Sequence, residues 1–261
     1  MLPALTPDQF DTIRKLIHRI TGIAIAPGKE SMVQGRLLKR IRELGLSGFD
    51  AYLEHVEHDR TGHELSAMVD ALTTNKTSFF REPQHFDFLR GSVFPELEAR
   101  GGPIRFWSAG CSSGQEPYTL AMVAREALPT CDILDVKILA TDISVRMLRV
   151  AREALYRESA LDDVPHSYRT RYFRRESRGD EVMYRVADEV RRMVRLARLN
   201  LLDPWPMKGP FDVILCRNVM IYFDRFTQQR LIERFHGLLA PGGYLLVGHS
   251  ESLSSLSHPF H

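Results

Sequence analysis

The chain has 261 residues, 44% of them hydrophobic, and a formal net charge of +2, enough for one large or two modest domains with a true core. The near-balance of charge argues against wholesale nucleic-acid binding. The opening MLPALTPDQFDTIRKL lacks the basic-then-apolar order of a signal peptide, and no apolar run reaches the ~18 residues of a membrane span.

Three widely spaced cysteines, Cys111, Cys131 and Cys216, argue against a disulfide framework and against a zinc site, and for a reducing cytoplasm. No metal is expected. Cys111 lies in a turn of small residues with no neighbouring histidine in sequence to activate it, so it reads as a packing residue rather than a nucleophile.

The first ~71 residues read as helices. Thr6-Pro7-Asp8 is a helix start, Phe10, Ile13, Ile17 and Ile20 recur at helical spacing, and Gly22 is the stop. A second helix is expected over Lys29 to Leu44, with Val33, Leu37, Ile41 and Leu44 in one stripe and Arg36, Lys39 and Arg40 on the opposite face. Others follow over Phe49 to Glu57 and Gly62 to Leu72. Between Arg14 and Arg42 eight Lys or Arg residues stand against one acid, Glu30. That excess is either a solvated surface or a docking face for an acidic partner.

LTTNKTSFFREPQHF, Leu72 to Phe86, mixes cap and turn residues with Phe79, Phe80 and Arg81. The phenylalanines anchor this linker on the next domain, the stretch lines a site, or both. A helix from about Pro83 to Glu98 follows. From Ile104 the pattern alternates as α/β. IRFWSA is a buried strand, Gly110 to Gln115 a tight turn, and from Glu116 the pattern is helical. Strand, small-residue turn and helix form a nucleotide-type cofactor geometry, although the turn is not GxGxxG and an ordinary strand-to-helix connection has the same shape. VKILATDIS ends a second strand on Asp142, where such folds bind ribose hydroxyls with a carboxylate. Val182, Tyr184 and Val186 alternate as a half-exposed strand. Ala187 to Glu189 reads as a turn, and Val190 to Leu199 as an extended arginine-rich run. With Tyr172 and Phe173 these suggest a small antiparallel insertion, either decorative or a strand edge that captures a peptide. Asn200 to Leu202 should end a strand. FDVILC is another, followed by a turn at Arg217 and Asn218, a helix to Leu239, Pro-Gly-Gly and a strand from Tyr244 to Gly248. The polar tail after Glu251 suggests a missing last strand or a chain that continues past His261.

TTNKTSFFREPQHF, FWSAGCSSGQEPYTLAM, LATDIS and FDVILCRNVMIYFD together resemble the chemotaxis receptor glutamate O-methyltransferase (CheR) family, over most of the chain. LLAPGGYLLVG is also a pattern common in S-adenosylmethionine methyltransferases. The resemblance implies a Rossmann-like S-adenosylmethionine-dependent methyltransferase domain with a small antiparallel β insertion, preceded by a small all-helical domain. The boundaries would be a helical domain over 1–71, a linker over 72–83 and a methyltransferase domain over 84–261, with the β subdomain at about 168–194. It further implies methylation of glutamates on the cytoplasmic helical bundle of membrane chemoreceptors, with S-adenosylhomocysteine as product, in the cytoplasm at receptor arrays.

Carried over by motif, Asn75, Thr77 and Arg81 contact the cofactor from the linker. Glu116 lies near its methionine portion, Asp142 holds the ribose, Asn200 and Leu201 border the adenine, and Arg217 and Asn218 close the site. Arg81 and Tyr222 stand nearest the reacting carboxylate, Tyr222 being otherwise read as a core aromatic. Gln115 departs from the acid that relatives often have there. The basic face of Arg36, Lys39, Arg40 and Arg42 becomes a receptor dock, and the β subdomain a possible site for a receptor C-terminal peptide. An ionised glutamate is already a nucleophile, so no strong base is required, and none is evident among the His and Cys residues. A methyltransferase with another acceptor, or a non-catalytic cofactor-binding regulator, are the competing readings.

Overall fold

The computed structural model describes residues 3–260 except 129 and 132; the outermost residues of the two expected domains, and any continuation past residue 261, lie outside it. The chain forms two compact units: the residues up to Thr74 together with Ile221–Gln228, and Asn75–Met220 together with the residues from Gln229 onward.

The first unit holds α1 (Pro7–Thr21), α2 (Glu30–Glu43), α3 (Phe49–His58) and α4 (His63–Leu72). Thr6 caps α1 reciprocally with Gln9, and Gly22 at φ 73° ends it in the left-handed region. The helical stripes meet in a core of Phe10, Ile13, Ile17, Val33, Leu37, Ile41, Tyr52 and Met68. Before α4, the Asp59 carboxylate accepts from the Thr61 hydroxyl and amide and from the Glu64 amide. The Thr61 hydroxyl bond first, then the Glu64 amide, hold its pKa at about 2. A depressed acid adds stability above its unfolded pKa of about 4, which is lost as pH falls towards 2. Urea unfolding should therefore show Asp59→Asn less stable than wild type at pH 6, with the difference gone near pH 2.

Two of the four residues expected on the basic face are not free. Arg36 donates to the carbonyls of Leu72 and Thr73 at 2.9 and 3.1 Å, closing the end of α4. Arg40 grips both Glu64 oxygens at 2.6 to 3.0 Å, and Tyr52 donates to the same carboxylate at 2.9 Å. The Glu64 side chain is 4% exposed. Arg36 and Arg40 lie one turn apart and reach towards α4 while staying half-exposed; the buried partner of Arg40 comes from that other helix, which the local count of acids missed. Lys39 and Arg42 are exposed. Arg40→Ala strands a buried carboxylate and should cost about 2–3 kcal/mol in urea unfolding, whereas Lys39→Glu should stay within about 0.5 kcal/mol.

In the second unit, α5 (Pro83–Phe88), a π turn (Leu89–Val93) and α6 (Phe94–Arg100) make one helical stretch. Pro95 has no N–H for the carbonyl four residues back, so the ladder widens there. Then come β1 (Ile104–Ala109), α7 (Gln115–Ala127), β2 (Val136–Asp142), α8 (Val145–Glu153), β3 (Leu155–Arg157), α9 (His166–Tyr172), β4 (Phe173–Arg178), β5 (Glu181–Val186), α10 (Asp188–Arg191), β6 (Val194–Arg198), β7 (Phe211–Cys216), α11 (Arg225–His236), whose residues up to Gln228 belong to the first unit, and β8 (Leu239–Val247). The main sheet is parallel throughout, in the order β6-β2-β1-β7-β8; β3-β5-β4 form a separate antiparallel sheet.

Four expectations are corrected. The run from Val190 to Leu199 is not part of the insertion: α10 takes its first residues, and β6 joins the main sheet beside β2. Ala187 to Glu189 leads into that helix rather than forming a plain turn. Asn200 to Leu202 lie beyond β6 in a turn. Strand β8 also begins earlier than expected, with Pro241-Gly242-Gly243 absorbed as an irregularity against β7. Among the described residues no helix is long and apolar enough to cross a membrane.

Phe79 is fully buried, edge-on to Tyr156 and Phe173, and Phe80 packs on Phe86 and Tyr168. These rings fix residues 75–83 to the α/β core, leaving the polar residues between them to line its edge.

Candidate functional site

Strands β1, β2 and β7 are neighbours and parallel, so the residues after their C-terminal ends converge. That is where ligands bind in open α/β sheets. After β1 comes Gly110 to Gly114. Gly110 and Gly114 have φ of 87° and 95°, and a Cβ on Gly114 would lie 2.9 Å from the Ala151 Cβ and 3.0 Å from the Tyr156 hydroxyl. Only glycine fits there. At the end of β2 the buried Asp142 accepts from the Ser112 amide at 2.7 Å and the Ser144 amide at 2.8 Å. The carboxylate thereby fixes the turn, and Ser112 in turn donates to the Asn75 carbonyl at 2.9 Å. Burial pushes the Cys111 thiol well up, consistent with a packing residue.

The charge of the site centres on Arg217, 1% exposed. It donates to Glu116 at 3.0 Å, to Glu82 at 3.1 Å and to the Arg81 carbonyl at 2.5 Å. Its Nε is buried without a partner. Glu116, in the first turn of α7, also accepts from Ser108 on β1 at 2.7 Å. Burial holds the Glu116 carboxyl above its usual range, against the pull of Arg217 and Ser108. Glu82, at φ 54°, is pushed up by burial, but Arg217 and Asn218 outweigh this and hold it below the usual range. Asn218 donates from its side chain to Glu82 at 3.3 Å, and its amide, with those of Val219 and Gly248, binds Glu251 at 2.6 to 2.9 Å.

Among the residues chosen from sequence, Asn75 and Asp142 are thus linked through Ser112, and Arg81, Glu116 and Asn218 are gathered around Arg217 and Glu82. Thr77 lies half-buried in the same segment. The Arg81 guanidinium reaches back to the Lys76 carbonyl at 2.9 Å. Asn200 bonds Asp203 and the Leu202 amide, and the Leu201 carbonyl takes Trp205 and Arg234. Tyr222 groups with the helical unit, its carbonyl accepting from the Ala24 amide at 2.8 Å.

Sequence reading missed Glu82, Glu251, Ser108 and Ser112. Only Glu82 carried a local signal, an acid beside Arg81 ahead of Pro83. It also missed that His85 and His249 converge on Glu82, at 3.6 and 4.0 Å, so histidines do stand beside this cluster.

The donor set suits a nucleotide-like cation. The glycine turn leaves space for close backbone approach, a buried carboxylate stands at the end of β2, and paired carboxylates and an unpartnered Arg217 N–H lie beside them.

The family model described as "CheR methyltransferase, SAM binding domain" matches residues 75–261, and "CheR methyltransferase, all-alpha domain" matches 8–73. The chain is 46% identical over 242 residues to the "Probable chemotaxis protein methyltransferase" of Rhizobium etli, covering 92% of this chain and 90% of that protein. It is 42% identical to the "Chemotaxis protein methyltransferase" of Escherichia coli, covering 98% and 88%. Against "Chemotaxis protein methyltransferase 2" of Pseudomonas aeruginosa the identity is 41%, covering 97% and 89%. Among solved structures, an S-adenosylmethionine dependent methyltransferase from Mesorhizobium loti aligns with a TM-score of 0.33 and 20% identity, over 61% of this chain and 54% of that one.

Proposed function

Because the chain belongs to the CheR methyltransferase family across both of its domains, we propose that it transfers a methyl group from S-adenosylmethionine to glutamate side chains of chemoreceptors, giving glutamyl methyl esters. The family's catalytic domain binds S-adenosylmethionine; when bound, that cofactor supplies an electrophilic sulfonium methyl. The residues fitted to hold it are the Gly110–Gly114 turn, Asp142 for the ribose, Glu116 and Arg217 for the methionine portion, and Asn75, Thr77, Arg81, Asn200, Leu201 and Asn218 around them. The observation that carries the reading is the similarity to chemotaxis methyltransferases over 92% to 98% of this chain.

The chemistry asks little of acid–base groups. A glutamate carboxylate is ionised at neutral pH and attacks directly. What the protein supplies is alignment, and holding reactants in line is worth up to ~7–11 kcal/mol of barrier. Arg81 would orient the acceptor carboxylate through its planar fork. The Glu116–Arg217–Glu82 cluster is hydrogen-bonded within itself and to Ser108 on β1.

On the helical unit, the exposed Lys39 and Arg42 remain candidates for meeting an acidic receptor helix. Lys39→Glu with Arg42→Glu should slow receptor methylation several-fold and leave cofactor affinity unchanged; unchanged methylation would remove this surface from the account. On the second unit, β4 is an edge of its three-stranded sheet and could take a receptor peptide by strand addition. The function itself is tested with methyl-labelled S-adenosylmethionine and purified cytoplasmic fragments of a chemoreceptor, alongside small dicarboxylic acids. Label should enter the receptor fragment and not the small acids. Label in the small acids alone would favour a different acceptor, and label in neither would favour a cofactor-binding regulator.

A further inference from the structure

Glu82, His85 and His249 offer one ligand atom each, all within 4.8 Å of one another. Glu82 precedes the first residue of α5 and His85 lies in its first turn, where the two side chains approach each other. His249 arrives from beyond β8, its backbone amide donating to Glu82 Oε2 at 3.3 Å. The Nδ1 of His85 is 3.6 Å and the Nε2 of His249 4.0 Å from Glu82 Oε2. A tetrahedral cation with bonds of 2.0–2.2 Å places its ligand atoms about 3.4 Å apart, so a small contraction of side chains brings all three into the coordination sphere. The Nδ1 of His85 is also buried with no hydrogen-bond partner, and a metal would satisfy it. The local charge favours a cation, since Glu82 and Glu116 share the single guanidinium of Arg217.

We infer that Glu82, His85 and His249 form a binding site for a divalent transition-metal ion of the Zn²⁺ class, acting as a regulatory ligand of the charge cluster rather than as a resident cofactor. Two imidazoles and a carboxylate are a donor set that zinc takes readily, with a fourth position left for water. Coordination through Glu82 Oε2 competes with the bond from Arg217 to the same oxygen, so the ion draws Glu82 away from the guanidinium. The site is independent of the methyl-transfer reading, because it rests only on these three side chains.

Calorimetric titration of the untagged 261-residue chain with zinc chloride tests it. One ion should bind per chain with a dissociation constant in the micromolar range. His85→Gln and His249→Gln should each weaken binding at least about tenfold, the scale on which zinc sites respond to loss of a supporting group. The His249 side chain is 55% exposed, so its substitution leaves the fold intact and isolates the ligand effect. Binding weaker than about 100 μM in the wild type, or equal affinity in wild type and His249→Gln, would overturn the proposal; the latter would assign the ion elsewhere, such as the histidine-rich turn of His55, His58 and His63.

Discussion

Arg217→Met should destabilise the second unit by about 3–5 kcal/mol and abolish measurable cofactor binding. Its guanidinium is almost completely buried and is the shared counter-charge of Glu116 and Glu82. Methionine fills much of the volume but leaves two carboxylates out of water without a cation, and breaking a buried ion pair costs in this range. The Arg81 carbonyl loses its donor as well. Arg217→Lys restores charge but not the fork that reaches three acceptors at once, and should recover only part of the stability. Urea unfolding with the three proteins checks the order. A loss below about 1 kcal/mol for Arg217→Met would mean that the cluster is hydrated and the buried-charge account is wrong.

Asp142→Ala should weaken S-adenosylmethionine at least about 100-fold, or about 2.7 kcal/mol at 1.36 kcal/mol per tenfold. Two effects combine. The carboxylate proposed to accept the ribose hydroxyls is gone, and so is the acceptor that pins the Ser112 and Ser144 amides. Asp142→Asn keeps one oxygen for those amides and should melt closer to wild type, while still losing most of the affinity because a neutral amide cannot accept two hydroxyl donors as a carboxylate does. Calorimetry with S-adenosylmethionine and S-adenosylhomocysteine, paired with thermal melts, separates the two contributions. Wild-type affinity in Asp142→Ala would place the ribose elsewhere.

The parts of the fold legible in the sequence were those encoded over a few residues. Thr6-Pro7-Asp8 and Gly22 bracket α1 in full view, and IRFWSA with its glycine turn marks β1 and the start of α7. Pairing between distant segments was not legible. Val194 and Leu196 alternate with arginines as an antiparallel insertion strand would, but β6 lies in parallel beside β2, a contact set by the crossover through α8 and the insertion rather than by its own pattern. The basic stripe of α2 failed for the same reason: Glu64, which neutralises Arg40, sits on α4. At the site, Asp142 stood out at the end of a recognisable strand, and Glu116 and Arg217 through the motifs that carry the family resemblance. Glu82 and Glu251 did not, since their partners lie 135 and about 33 residues away.

The most direct test of the central claim is the chemistry of the product. Receptor fragments methylated by this protein should be digested and the modified residues located by mass spectrometry, then exposed to mild alkali. An ester of a glutamate side chain gains one methyl and releases it as methanol under alkali, and that is the predicted result. Methyl groups that survive alkali, or that map to lysine, arginine or amide nitrogen, would contradict carboxylate methylation.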